Sequence, residues 1–154
     1  MKTHPRIRSG YDNAKQGMLA LKIAREIDCL LSEVILLQRD YVARICSACE
    51  EPCCKRVQYL FDERDIIFAK VLGRNGVPRR RHNAKGCPFL SATGCLLAPK
   101  ARPFVCHRYL CLKLKEEMAR QDARLLSEMS KKIRILEDLR VRLWGEYLKG
   151  EERP

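Results

Sequence analysis

The chain has 154 residues, 46% of them hydrophobic and 32% charged, and 31 Lys and Arg against 19 Asp and Glu give it a net charge of +12. That length and composition suit one globular domain and exclude a disordered or collagen-like chain. No stretch approaches the roughly 18 consecutive apolar residues that span a bilayer, and the amino-terminal MKTHPRIRSGYDNAKQG lacks the apolar run of a secretion signal; the expectation is a cytoplasmic protein with no membrane partner.

From Ala14 to Ile45 no proline interrupts the chain, and Ile23, Ile27, Leu30, Val34, Leu37 and Tyr41 recur at alternating steps of four and three. This predicts a long amphipathic helix over 14–45. Cys29 lies beside that stripe and reads as a small core residue. Val57 to Phe61 is β-prone, and Asp62 is suited to cap a short helix running through Ile66, Ile67, Ala69, Lys70 and Leu72 to Gly73. The glycines, asparagines and proline of GRNGVPRRRHNAKG mark a loop. Between Cys87 and Cys111, prolines and glycines leave no room for long regular elements, so this segment needs an external staple. Helical periodicity returns over 112–148, where Leu126, Met129, Ile133, Leu136, Leu143 and Tyr147 share a face. Glu116 with Arg120, Glu128 with Lys132, and Asp138 with Arg142 are spaced as outer-surface ion pairs. The expected fold is mainly α: a single domain of two long antiparallel helices flanking a small, irregular, cysteine-rich module over 46–111 with one short helix.

The segment CSACEEPCC places four cysteines in nine residues, and the chain holds nine in all. An odd count without an export signal argues for reduced thiols, which when clustered more often hold metal than pair as disulfides. Apart from Cys29, they form two groups: Cys46, Cys49, Cys53 and Cys54, then Cys87, Cys95, Cys106 and Cys111. Two intervening residues let Cys46 and Cys49 reach one ion through a turn. Adjacent Cys53 and Cys54 point apart in extended backbone, so they suit different ions or a shared cluster, and the two sequence groups would interleave. Eight thiolates make two four-cysteine sites for zinc, placed first, or for iron–sulfur clusters. His82 and His107 are further candidate ligands, with exposed loop histidines as the competing reading, since eight cysteines already complete the count. Metal that only staples the fold is the plainest role for such sites.

Taken together, these residues resemble the CxxCxxxxCC family of zinc- or iron-chelating domains, the YkgJ-like cysteine-cluster proteins. The similarity lies in CSACEEPCC, in FDERDIIFAKVLG, and in GCPFLSATGCLLAPKARPFVCHRYLC, and it covers about residues 46 to 111. Three residues instead of four separate Cys49 from Cys53. His107 stands where the family usually has Arg, and LLAPKA lacks an aromatic that the family usually places before RP. The resemblance implies metal chelation by the eight cysteines, and part of the wider group is associated with protein lysine methylation.

The charge excess concentrates between residues 46 and 111, where it balances thiolates or attracts anions. Arg79, Arg80 and Arg81, with Arg74 and Lys85, form a candidate phosphate-binding loop, although no aromatic is interleaved for base stacking. No Ser-His-Asp arrangement, glycine-rich phosphate loop or poised carboxylate pair suggests catalysis; Asp62, Glu63 and Asp65 read as helix-capping charges. The expected function is metal binding. One alternative is an iron–sulfur protein with a redox or methylation-related role, and another is a nucleic-acid module using 74–85. Self-association or a protein partner on the long helices competes with the helices burying each other.

Overall fold

The computed structural model describes residues 10–55, 61–74, 86–92 and 94–151, with side-chain surroundings of the outer helices given from 17 to 150. The long first helix, α1, runs from Gly10 to Ser47, four residues earlier and two later than its periodicity marks. Ile23, Ile27 and Val34 are buried as the stripe requires, and Leu30, Leu37 and Tyr41 pack partly buried beside them. Ala20, Ala24 and Leu31 widen the buried face. Cys29, in contrast, is exposed; it lies one position off the stripe, far enough around the helix to face solvent. Cys29→Ser is therefore expected to change stability by no more than about 0.5 kcal/mol in urea unfolding, the usual range for surface substitutions.

The second long helix is two helices: α4 (Leu112–Gln121) and α5 (Ala123–Glu151). The break is made by Asp122, whose extended backbone leaves the helix while its Oδ1 accepts a hydrogen bond from the Arg124 N–H at 2.8 Å. This is an N-terminal cap for α5, and it outweighs the continuous apolar pattern. Met129, Leu136 and Leu143 are buried, with Leu126, Ile133 and Tyr147 packed against them. Glu128 and Lys132 form a surface pair at 3.7 Å, while Arg120 bonds Glu117 instead of Glu116.

α1 and α5 run antiparallel: Lys132 Nζ meets Glu33 Oε2 at 2.6 Å, and farther along α1, Gln38 Nε2 meets Met129 Sδ at 3.3 Å. α4 lies beside the carboxyl end of α1, tied by Arg44 to Glu117 at 3.2 Å, and contributes buried Leu114 and Met118 to the same core. Between the long helices in sequence come α2 (Glu63–Val71), a hairpin of β1 (Leu90–Ser91) and β2 (Gly94–Cys95), and α3 (Phe104–Arg108). Short 3-10 turns at Cys53–Lys55 and Pro99–Ala101 complete the described elements. Asp62 caps α2 as expected, in a reciprocal capping box with Asp65. Phe61 is not in a strand, and the rest of the β-prone stretch, 57–60, lies outside the described residues. No helix among the described residues is long and apolar enough to cross a membrane.

Candidate metal centre

The cysteines of the two sequence groups are brought together by backbone before side chains are considered. Cys46 lies in the last turn of α1, and the Cys49 N–H returns to the Cys46 carbonyl at 3.4 Å, turning the chain between them. Cys53 and Cys54 open a 3-10 turn closed by Lys55 N–H to Pro52 O at 2.9 Å. The second group is laced onto it by the Cys87 N–H, which donates to the Cys54 carbonyl at 2.7 Å. Gly86 allows that approach: its φ is +82°, and a Cβ there would stand 2.5 Å from Lys55 O and 2.6 Å from Cys54 O. Cys95 is presented by the hairpin, opposite Leu90 in register, Cys106 by α3, and Cys111 by the residue before α4.

Gly86→Ala is expected to cost at least about 2 kcal/mol, because the left-handed conformation disfavours alanine and two carbonyls occupy the methyl's place. Gly73→Ala provides the comparison. Its φ is +66° with nothing within 4 Å of the added Cβ, so it carries the conformational penalty alone, about 1 kcal/mol. Equal urea midpoints for the two variants would remove the close approach as a cause.

α3 is held in place by buried polar contacts from three directions. Arg140 of α5, 3% exposed, donates from Nη1 to Asp65 Oδ1 at 2.7 Å and from Nη2 to Asp62 Oδ1 at 2.8 Å. Asp65 Oδ1 also accepts the Phe104 N–H at 3.2 Å, at the first residue of α3. From α1, Gln38 Nε2 donates to the His107 carbonyl at 2.7 Å. His107, expected as an exposed loop residue or a ligand, is 3% exposed, and its Nε2 lies 3.0 Å from the Pro99 carbonyl. Burial and the Arg102 charge push its pKa down to about 4, so the neutral ring is a donor to that carbonyl and pins the Pro99–Ala101 turn to α3. Asp62 and Asp65 cap α2, as their positions suggest, and also neutralise a buried arginine.

The thiols form one linked electrostatic cluster, with Cys53 beside both Cys46 and Cys54. Cys46 is pushed up by burial and then by Cys53, Cys111 and Cys49. Cys54 is raised to about 12 by burial and then by Cys53, Cys87 and Cys95. Cys106 is raised to about 12 by burial and then by Cys54, Cys87 and Cys95. Cys46, Cys49, Cys53 and Cys111 make one side of this cluster and Cys54, Cys87, Cys95 and Cys106 the other, with the Cys53 and Cys54 side chains hydrogen-bonded between them. Each set of four takes three cysteines from one sequence group and one from the other, and the sets meet at the Cys53–Cys54 peptide. Arg102 favours ionisation of both Cys46 and Cys106.

All nine cysteines are free thiols. In donor type and number the two sets fit tetrahedral thiolate coordination. Their side chains are not converged for it: among the described residues, no group of three or more His, Cys, Asp or Glu side chains is disposed to hold a metal ion. His82 and the loop arginines Arg79, Arg80 and Arg81 lie outside the described residues.

The periodicity reading missed Arg140 and Gln38, yet both carry a signal. Arg140 follows Leu136 by four and precedes Leu143 by three; Gln38 follows Val34 by four and precedes Tyr41 by three. A polar side chain on an apolar stripe needs a buried partner, and here the partners hold the cysteine module. Compared with models of protein families, with curated proteins and with solved structures, the chain matches none.

Proposed function

We propose that the chain is a cytoplasmic metal-binding protein, in the manner of the CxxCxxxxCC family, whose eight clustered cysteines form two four-thiolate sites. Cys46, Cys49, Cys53 and Cys111 would hold one ion or cluster, and Cys54, Cys87, Cys95 and Cys106 the other. Zinc comes ahead of iron–sulfur. The observation that carries the reading is the gathering of the eight thiols from both sequence groups, with the Cys87 N–H on the Cys54 carbonyl and Cys46, Cys54 and Cys106 each crowded by other thiols. Crowded thiols oppose their own ionisation, and a bound cation reverses that balance by compensating the thiolate charge.

Four protein ligands leave no open position for substrate or water, which favours a structural or binding role over hydrolysis. When bound, the metal would supply cross-links for a segment that has few regular elements of its own. The chain's own residues prepare for this: Gly86 brings Cys87 to Cys54, and Arg140 with Gln38 fixes α3 and so Cys106.

The test is elemental analysis with an absorption spectrum of protein purified without oxygen. About two zinc ions per chain and no visible band supports the zinc form. Iron with acid-labile sulfide and a broad visible band moves the reading to iron–sulfur and to its redox alternatives. Protein that is folded, metal-free and indifferent to added zinc defeats both.

A further inference from the structure

A cavity of about 500 Å³ opens between α1, α2, α5 and the Pro99–Ala101 turn, apart from the thiols. Its volume is that of a small-ligand site. Ile27 and Leu136, 2% and 0% exposed, mark its inner end, and Phe61, Phe68 and Phe104 line its walls. Arg74 and Lys100, with side chains 36% and 49% exposed, mark the solvent side. Charge in the lining is one-sided. Four cations stand there against one carboxylate, Asp65, which already belongs to Arg140. Arg74 and Lys100 share a single carboxylate, Asp28, at 2.6 and 3.3 Å. Arg102 uses its Nε on the Leu97 carbonyl at 3.2 Å; its Nη groups make no hydrogen bond to a described residue, although its charge also acts on Cys46 and Cys106.

We propose that this cavity binds an amphipathic carboxylate, with the apolar body against the phenylalanines and the anionic head on Arg102 and Lys100. The walls favour an apolar body because Ile27, Leu31, Phe61 and Leu136 line them with hydrocarbon, while guanidinium groups stand over the other two rings, Arg74 5.3 Å from the Phe68 centroid and Arg140 4.4 Å from that of Phe104. A second polar group deep in the cavity would find only the satisfied Asp65–Arg140 pair. A single negative charge matches the donors left over, one guanidinium edge and a half-shared ammonium, better than a dianion does. No thiol lines the cavity, but Phe61, Phe68, Phe104, Lys100 and Arg102 lie in the 46–111 segment. The site therefore rests on the proposed metal binding to the extent that metal keeps this segment folded, and the titration is read on protein whose fold and metal content are measured beside it.

The experiment is isothermal titration of the full chain, as purified, with decanoate, decanol and decylamine. Decanoate is expected to bind at one site per chain, with decylamine at least roughly tenfold weaker, the scale of a charge-assisted hydrogen bond. Lys100→Met and Arg102→Met are each expected to weaken decanoate roughly tenfold and leave decanol unchanged. Lys100→Met keeps the test sharp should Arg102→Met disturb folding. Ala69→Phe, which fills the cavity from α2, should abolish binding. Equal affinity for decanoate and decylamine, full binding by Ala69→Phe, or no decanoate binding by the wild-type chain each overturns the proposal.

Discussion

Arg140→Met is expected to destabilise the protein by about 3–5 kcal/mol, the usual cost of removing one partner from a buried ion pair. Methionine keeps much of the arginine's volume, so the loss isolates the charge. Asp65, with a side chain 10% exposed, would lose its Nη1 partner at 2.7 Å, and burial already pushes its carboxyl above the ordinary carboxylate range. Asp62 is 56% exposed and can turn to water. The damage therefore centres on Asp65, and through its bond to the Phe104 N–H it reaches α3. Urea unfolding with an unchanged slope is the measurement. Asp65→Asn added to Arg140→Met should recover part of the loss, because an amide needs no cation.

Acid should also narrow the deficit. A carboxyl whose folded pKa is raised binds more protons folded than unfolded, so stability falls as pH rises through the interval above its ordinary value. Without Arg140 that elevation grows. The gap between variant and wild type is thus expected to shrink between neutral pH and about pH 4. A gap below about 1 kcal/mol at pH 7 would show that the pair is not what holds α3.

Much of the helical frame is written in the spacing of Ile23 to Tyr41 and Leu126 to Tyr147, because burying one face of a helix needs only a repeat of three and four. The cap of α2 is equally local, since Asp62 and Asp65 satisfy each other's backbone three residues apart. The break at Asp122 escaped that reading because the apolar pattern continues through it; a single side chain accepting from Arg124 decides the geometry. The exposure of Cys29 escaped it for a related reason, since one helical step shifts a residue by about 100° and the stripe's edge is narrow.

The cysteine module is harder to read because its elements are short and its order is non-local. The Cys87 N–H to Cys54 carbonyl bond spans more than thirty residues, and no periodicity announces it. The expectation that adjacent Cys53 and Cys54 point apart rests on extended backbone, whereas the two residues open a 3-10 turn and their side chains hydrogen-bond to each other. Which late cysteine joins which side of the cluster depends on α3, and α3 is placed by Arg140, Asp65 and Gln38 from three other segments. The burial of His107 follows from the same contacts and has no counterpart in its local sequence.

The sharpest consequence of two four-thiolate sites concerns metal loss in variants. Under the proposed partition, Cys49→Ser and Cys95→Ser should each bind about half the metal of the wild-type chain, since each removes a ligand from a different four-thiolate site. Pairing the substitutions separates sites that sequence proximity would merge. Cys49→Ser with Cys53→Ser strikes one set twice and should still retain about half of the metal. Cys53→Ser with Cys54→Ser changes neighbouring residues but strikes both sets, and should bind almost none. Stability should follow stoichiometry, because binding at a structural thiolate site contributes on the order of 10 kcal/mol in small zinc domains, comparable to the whole stability of a domain. A strong chelator should therefore unfold the 46–111 module while much of the helical signal of α1 and α5 survives, since most of their shared core comes from α1, α4 and α5. If Cys53→Ser with Cys54→Ser instead keeps half of the metal, the two residues serve one site and the partition is wrong; a chelator that changes neither metal content nor melting would show that the eight thiols hold no structural ion.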